Sequence, residues 1–213
     1  MLKQCGPHLP LQTRSKTILV TALFAIVWIT ALSLGLGALF NYDSAPGSTG
    51  RIASSWPAES KIQRATDGYT LIMLAHPHCP CTRASIGELA EVMARVQGKV
   101  HAYVLLLKPE NSGTDWEDTD LRRSAARIPG VAILVDTNGL EARRFGAETS
   151  GHTFLFDSAG RLLFNGGITA SRGHSGDNAG ASAIRSLVTN DSAGLAKTFV
   201  FGCSLVDDSG KND

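Results

Sequence analysis

Four cysteines in 213 residues, at positions 5, 79, 81 and 203, are too few and too unevenly spaced to staple a small secreted scaffold. The formal net charge is +1 and no long basic stripe runs through the chain, which excludes an electrostatic nucleic-acid binder. No glycine motif of the phosphate-cradling kind is present, so no organic cofactor is implied. There is no internal repeat and no low-complexity tract. What remains is one ordinary domain with extras at its ends.

From Thr17 to Phe40 there is no charged residue. As a helix rising about 1.5 Å per residue, this run reaches roughly 36 Å, enough to cross a hydrocarbon core of about 30 Å. Lys3, Arg14 and Lys16 precede it, and the nearest charge after it is Asp43. The positive-inside rule keeps residues 1–16 in the cytoplasm and sends the chain after residue 40 outward. A cleaved signal peptide competes with this reading. The apolar run, however, exceeds the usual h-region of about 7–15 residues, and Pro46 follows the one small-residue cleavage candidate, Asp43-Ser44-Ala45. The expectation is a single-pass bacterial inner-membrane protein with a periplasmic or otherwise extracytoplasmic C-terminal domain. Cys5 then stays on the cytoplasmic side, apart from the other three thiols.

Residues 41–56 are rich in Gly, Ser and Pro and read as a linker. Pro57–Ala65 is a candidate short helix. Strands are expected at 69–75, 100–107 and 131–135, and as a hairpin at 153–157 and 161–165. Helices are expected at 81–96, from Asp118 or Thr119 to Ile128, at 140–145 and at 179–188. The domain is placed at 57–190 and a C-terminal tail at 191–213, with a short apolar stretch at Phe199–Cys203. Strands alternating with helices, then a hairpin and a helix, predict an α/β domain with a central mixed sheet flanked by helices.

The chemistry gathers where the first strand meets the first long helix, at His76-Pro77-His78-Cys79-Pro80-Cys81. Free backbone N–H groups and the helix dipole favour an anion there, so a cysteine at that point tends to ionise. Thioredoxin-type redox proteins share this strand–cysteine–helix arrangement, and the chain resembles them over roughly residues 57–190. Only Pro80 separates the cysteines, where two residues usually do. The segments HPHCPCTRAS, DTDLRRSAARIPGV, SGHTFLFDSAGRLLFNGGI, RGHSGDNAG and FGC further resemble RedB, a group of membrane-anchored thioredoxin-like proteins.

The resemblance implies a thiol–disulfide oxidoreductase in which Cys79 attacks and Cys81 is its partner. It acts on exported protein thiols or on a redox partner. A disulfide between residues two apart closes a small, strained ring, which implies an oxidising couple. His152 stands where thioredoxin-like proteins carry a cis-proline facing the thiols, and is expected within hydrogen-bond reach of Cys79 as base or imidazolium. His78 is expected to tune the Cys79 thiol, and His76 to end the strand. Arg172, His174, Asp177 and Asn178, in the loop from Gly166 to Gly180, are expected to shape access, although Asn178 is also a candidate helix cap. Cys203 is a candidate resolving thiol, metal ligand or intermolecular link. The alternative function is a copper-binding metallochaperone using His78, Cys79, Cys81 and His152, since thiolate and imidazole both suit copper. Peroxide reduction fits less well, because the Thr placed ahead of a peroxidatic cysteine is missing.

Overall fold

The computed structural model describes residues 11–189 and 194–205; Lys3, Cys5 and the last residues of the tail lie outside them. The chain divides into two units, residues 1–42 and residues 43–213. The first is built on one helix, α1 (Leu11–Ser44). Within residues 15–44 an 18-residue window has a mean hydropathy of 2.3, and none of that window is buried. Two of its hydroxyls are satisfied internally: Thr21 donates to the Thr17 carbonyl at 3.0 Å and Thr30 to that of Ile26 at 2.8 Å. An apolar surround therefore meets few unmet polar groups. This helix is long and apolar enough to span a membrane.

The second unit is a five-stranded sheet in the order β3-β2-β1-β4-β5. It comprises β1 (Tyr69–Ala75), β2 (Val100–Lys108), β3 (Val131–Thr137), β4 (His152–Phe156) and β5 (Leu162–Gly166). The first three strands are parallel, while β4 runs antiparallel to both β1 and β5. Four helices flank the sheet: α2 (Thr82–Arg95), α3 (Asp120–Ala126), α4 (Leu140–Phe145) and α5 (Ala179–Thr189). This is the thioredoxin-like architecture expected, with element ends within about two residues of the sequence reading.

Central strand β1 is covered on both faces, which is why its sequence is continuously apolar. Leu71, Met73 and Ala75 meet Ile86, Leu89 and Val92 of α2 and Ile184 of α5. Ile72 and Leu74 point the other way, among Phe145 of α4, Phe154 and Phe156 of β4, and Ile62. Thr119 caps α3, its hydroxyl accepting the Arg122 N–H at 3.3 Å.

Three expectations change. Pro57–Ala65 forms turns and not a helix. The backbone there bonds outward: Lys61 N–H donates to Glu141 at 3.1 Å, and the Ser60 hydroxyl to the same carboxylate at 2.7 Å. Trp56, just before it, is held edge-on against Phe145 and Phe156. The linker does not hang free beyond Gly47. Gly47 N–H donates to the Val200 carbonyl, Gly50 N–H to that of Gly146 and Trp56 N–H to that of Gly160. The described residues of the tail, 194–205, bond the domain as well. Asn165 N–H bonds the Ala196 carbonyl, and Thr149 pairs antiparallel with Ser204.

Candidate active site

After Ala75 the chain makes one turn, with Cys79 N–H donating to the His76 carbonyl at 3.1 Å, before α2 begins at Thr82. Cys79 is thereby set beneath the first turn of α2, with only 2 % of its surface exposed. Burial alone would raise its pKa. Against that, the Cys203 thiol and N–H, 2.7 and 3.3 Å from the sulfur, and the adjacent Thr82 hydroxyl and N–H favour the anion, and the net direction is down. Those bonds favour the thiolate, because each stabilises the charged form.

The Thr82 hydroxyl is itself oriented. It lies 2.6 Å from the hydroxyl of Ser150, which accepts the His76 N–H at 2.8 Å. Since Thr82 gives its single proton to Cys79, Ser150 must give its own to Thr82. The order is therefore His76 N–H to Ser150, Ser150 to Thr82, Thr82 to sulfur, a chain in which each bond polarises the next. Both hydroxyls are fully buried. Gly151 makes this possible with φ of 89°, turning the backbone between Ser150 and β4 while its N–H bonds the Leu74 carbonyl at 2.7 Å.

The sulfur nearest Cys79 comes from the far end of the chain. Cys203 Sγ is 2.7 Å from Cys79 Sγ, and the Cys203 N–H points at the same atom from 3.3 Å. Cys203 is carried there by the tail, whose backbone bonds Ser150 and Glu148. Its own pKa is pushed up to about 12, by burial first and then by the hydrogen bond to Cys79 and the charges of Cys79 and Cys81. Cys81 occupies the N-cap position of α2 without capping it, and is half-buried. Burial and then the Cys79 charge push its thiol up, with Arg172 acting in the opposite sense. Arg172 also donates to the Gly202 carbonyl and lowers Cys203. Of the residues expected over the thiols from the Gly166–Gly180 loop, this arginine is the one that reaches them.

The remaining expectations are corrected by geometry. His152 opens β4 as the register predicts, yet its ring stacks 4.3 Å from that of Phe154, on the sheet face away from α2. Neither ring nitrogen has a hydrogen-bond partner, and burial drives its pKa down to about 3. It is a neutral ring and does not bond Cys79 as base or imidazolium. His78 turns away too: its ring stands edge-on to Trp116 at 4.5 Å, with His76 at 5.9 Å from the same indole. The groups acting on Cys79 are Cys203 and Thr82 instead.

Asn178 takes the capping role, its side-chain oxygen accepting the Ala181 N–H at 2.8 Å while its amide donates to Glu88 at 3.0 Å. His174 and Asp177 are exposed on the loop, without a hydrogen bond to a thiol. Pro80 sits in the turn, its carbonyl accepting the Arg83 N–H at 3.3 Å. Among the described residues, no three His, Cys, Asp or Glu side chains are grouped to hold a metal. Sequence reasoning missed Thr82, Ser150 and Trp116. Thr82 had a signal in its place directly after Cys81; Ser150 and Trp116 had none, since chain folding alone brings them to the site.

No protein-family model matches the chain, and no curated protein matches it. Solved structures do. An uncharacterised conserved protein of Geobacillus kaustophilus aligns at TM-score 0.55 and 18 % identity, over 76 % of this chain and 92 % of its own. A hypothetical protein of Sinorhizobium meliloti aligns at 0.56 and 16 %, over 74 % and 97 % respectively. At such identities the likeness is one of fold. The exposed lipoprotein thioredoxin of Streptococcus pneumoniae overlaps more weakly, at TM-score 0.40 and 14 % identity over 59 % of this chain and 86 % of that one. Topology and site together define a thioredoxin-like domain with a three-thiol cluster at the start of its first domain helix.

Proposed function

We propose that the protein is a single-pass, inner-membrane-anchored thiol–disulfide oxidoreductase whose domain works outside the cytoplasm, with Cys79 as the attacking thiol. One observation carries the reading: a buried sulfur at the β1–α2 junction lies 2.7 Å from the Cys203 thiol and takes the Cys203 N–H at 3.3 Å. A thiolate held ready in this way attacks a substrate disulfide, and a neighbouring thiol then releases the mixed disulfide. The apolar α1 with Lys16 at its start, and the five segments like those of RedB, support the anchored, exported setting. In an oxidising compartment, neighbouring thiols are suited to exchange.

Replacing Cys79 by Ser should abolish reduction of a small aromatic disulfide by the detergent-solubilised chain. Retained activity would overturn the reading. For topology, an export-dependent reporter fused after Ser60 should be active, and an inactive one beside an active cytoplasmic reporter would reverse the orientation. The copper-binding set named from the sequence is His78, Cys79, Cys81 and His152. Two members of that set are engaged elsewhere, His152 stacked on Phe154 and His78 edge-on to Trp116, so exchange is the better-supported function.

A further inference from the structure

With Cys79 attacking as proposed above, the geometry points to Cys203 as the thiol that resolves its mixed disulfide. The working couple is then Cys79–Cys203 and not the adjacent Cys79–Cys81. Three observations converge on this pairing. The first is contact: the two sulfurs are 2.7 Å apart and the Cys203 N–H donates to Cys79 Sγ.

The second is how firmly residue 203 is held. Its carbonyl accepts the Ser150 N–H at 2.8 Å, and Leu205 N–H donates to the Glu148 carbonyl at 2.8 Å, so residues on both sides of Ser204 are tied. Upstream, the Val200 carbonyl accepts the Gly47 N–H at 2.8 Å, and Arg172 grips the Gly202 carbonyl. Gly202 passes so close to Ser150 that a Cβ there would lie 2.0 Å from the Ser150 carbonyl oxygen. Residue 202 therefore has to be glycine for the tail to lie down, and laying it down brings Cys203 to Cys79. Ser150, which binds the tail through its backbone, also supports Thr82 through its hydroxyl. Tail placement and thiolate stabilisation thus share one residue.

The third observation is the contrast with Cys81, whose side chain also meets Cys79 but whose backbone is fixed. Its backbone is already committed to helical geometry, with the Ala84 N–H on its carbonyl at 3.2 Å, and proline locks the one residue between it and Cys79. Closing that ring means disturbing the start of α2. Closing Cys79–Cys203 asks only for a small movement of a tail already in contact.

The exchange balances as follows. The Cys79 thiolate attacks one sulfur of a substrate disulfide R–S–S–R′, forming Cys79–S–S–R and releasing R′–S⁻. Cys203, losing its proton, then attacks Cys79 Sγ, forming the Cys79–Cys203 disulfide and releasing R–S⁻. Two electrons pass from the protein's two thiols to the substrate, whose two thiolates collect the protons; the reverse sequence oxidises a dithiol. The order of events is built in. While Cys79 is an anion, its charge and hydrogen bond hold the proton on Cys203. Formation of the mixed disulfide removes that charge and leaves Arg172 beside Cys203, which frees the second thiol to ionise. Because the tail also covers Cys79, substrate enters when the tail lifts, and the return of the tail closes the cycle.

The test uses the full chain in detergent, in a Cys5→Ser background, with glutathione disulfide as oxidant and acid quenching before peptide mapping. The expected product is a Cys79–Cys203 linkage. In Cys203→Ser, glutathionylated Cys79 should persist roughly 100-fold longer than in the parent, the scale of losing an intramolecular thiol. In Cys81→Ser it should decay at the parental rate. Gly202→Ala keeps all three thiols and should slow resolution as well, which separates placement from chemistry. A dominant Cys79–Cys81 linkage, or a mixed disulfide trapped by Cys81→Ser and not by Cys203→Ser, would overturn the pairing and leave exchange at Cys79 standing. Failure of Cys79 to react with glutathione disulfide in every variant would overturn exchange itself, and the pairing with it.

Discussion

Cys79 and His152 are both ionisable groups almost fully buried close to the start of β4, yet their surroundings treat charge in opposite ways. Around Cys79 donors gather at the sulfur, the Cys203 thiol and N–H and the Thr82 hydroxyl, and its pKa is lowered in spite of burial. Around His152 there are none, both ring nitrogens are unpartnered, and burial holds the ring neutral. Burial by itself disfavours charge; burial with aimed donors stores it. Depth in the fold therefore says little about reactivity until the donors are counted.

The largest expected effect tests the histidine side. Unfolded, His152 takes up a proton near pH 6.5, whereas in the fold it does so only near 3. Between those values the unfolded chain binds the extra proton, so stability is full above about pH 6.5 and falls as pH drops towards 3. The loss is on the order of a few kcal/mol. His152→Phe should flatten that part of a urea-unfolding pH series while leaving Cys79 alkylation unchanged. An unaltered series, or a slower alkylation, would dissolve the contrast.

On the thiol side, Thr82→Val removes one donor to a charged sulfur, a bond of about 1.5 kcal/mol or more. Iodoacetamide alkylation of Cys79 near neutral pH should slow roughly tenfold, with rates converging at alkaline pH where the thiol is ionised in both proteins. A uniform change at every pH would point to access and not to ionisation. Ser150→Ala leaves Thr82 able to donate and removes only the group behind it. Its effect should have the same sign and be smaller, about two- to threefold. Equal effects in the two variants would show that Thr82 acts only through Ser150.

The strands and helices were legible because each has a short local signature, such as the continuous apolar run of β1 or the capping Thr119 ahead of α3. Cys79 was legible for the same reason, as a thiol between a strand and a periodic helix. His152 shows where that reasoning stops. Its register was read correctly, but side chains alternate along a strand, and the alternation that buries Phe154 and Phe156 carries His152 to the face opposite α2. His78 failed differently, since its partner Trp116 lies in a loop with no fixed register. Cys203 could be named as a candidate and not placed. Nothing local in Phe199–Cys203 says which backbone the tail will lie against, and the one clue, glycine at 202, has meaning only once Ser150 is seen beneath it.

The separation of 124 positions between Cys79 and Cys203 has a consequence in time. A ribosome adding about 5–20 residues per second needs on the order of ten seconds to go from one to the other. For that interval the nascent chain carries Cys79 and Cys81 without the thiol that finishes the site. On the pairing inferred above, a chain that ends between α5 and residue 203 keeps Cys79 and has no Cys203 to release a mixed disulfide. On that reading, completion of the reading frame is part of the chemistry, and a copy cut short after α5 would hold the molecules that its finished sibling releases.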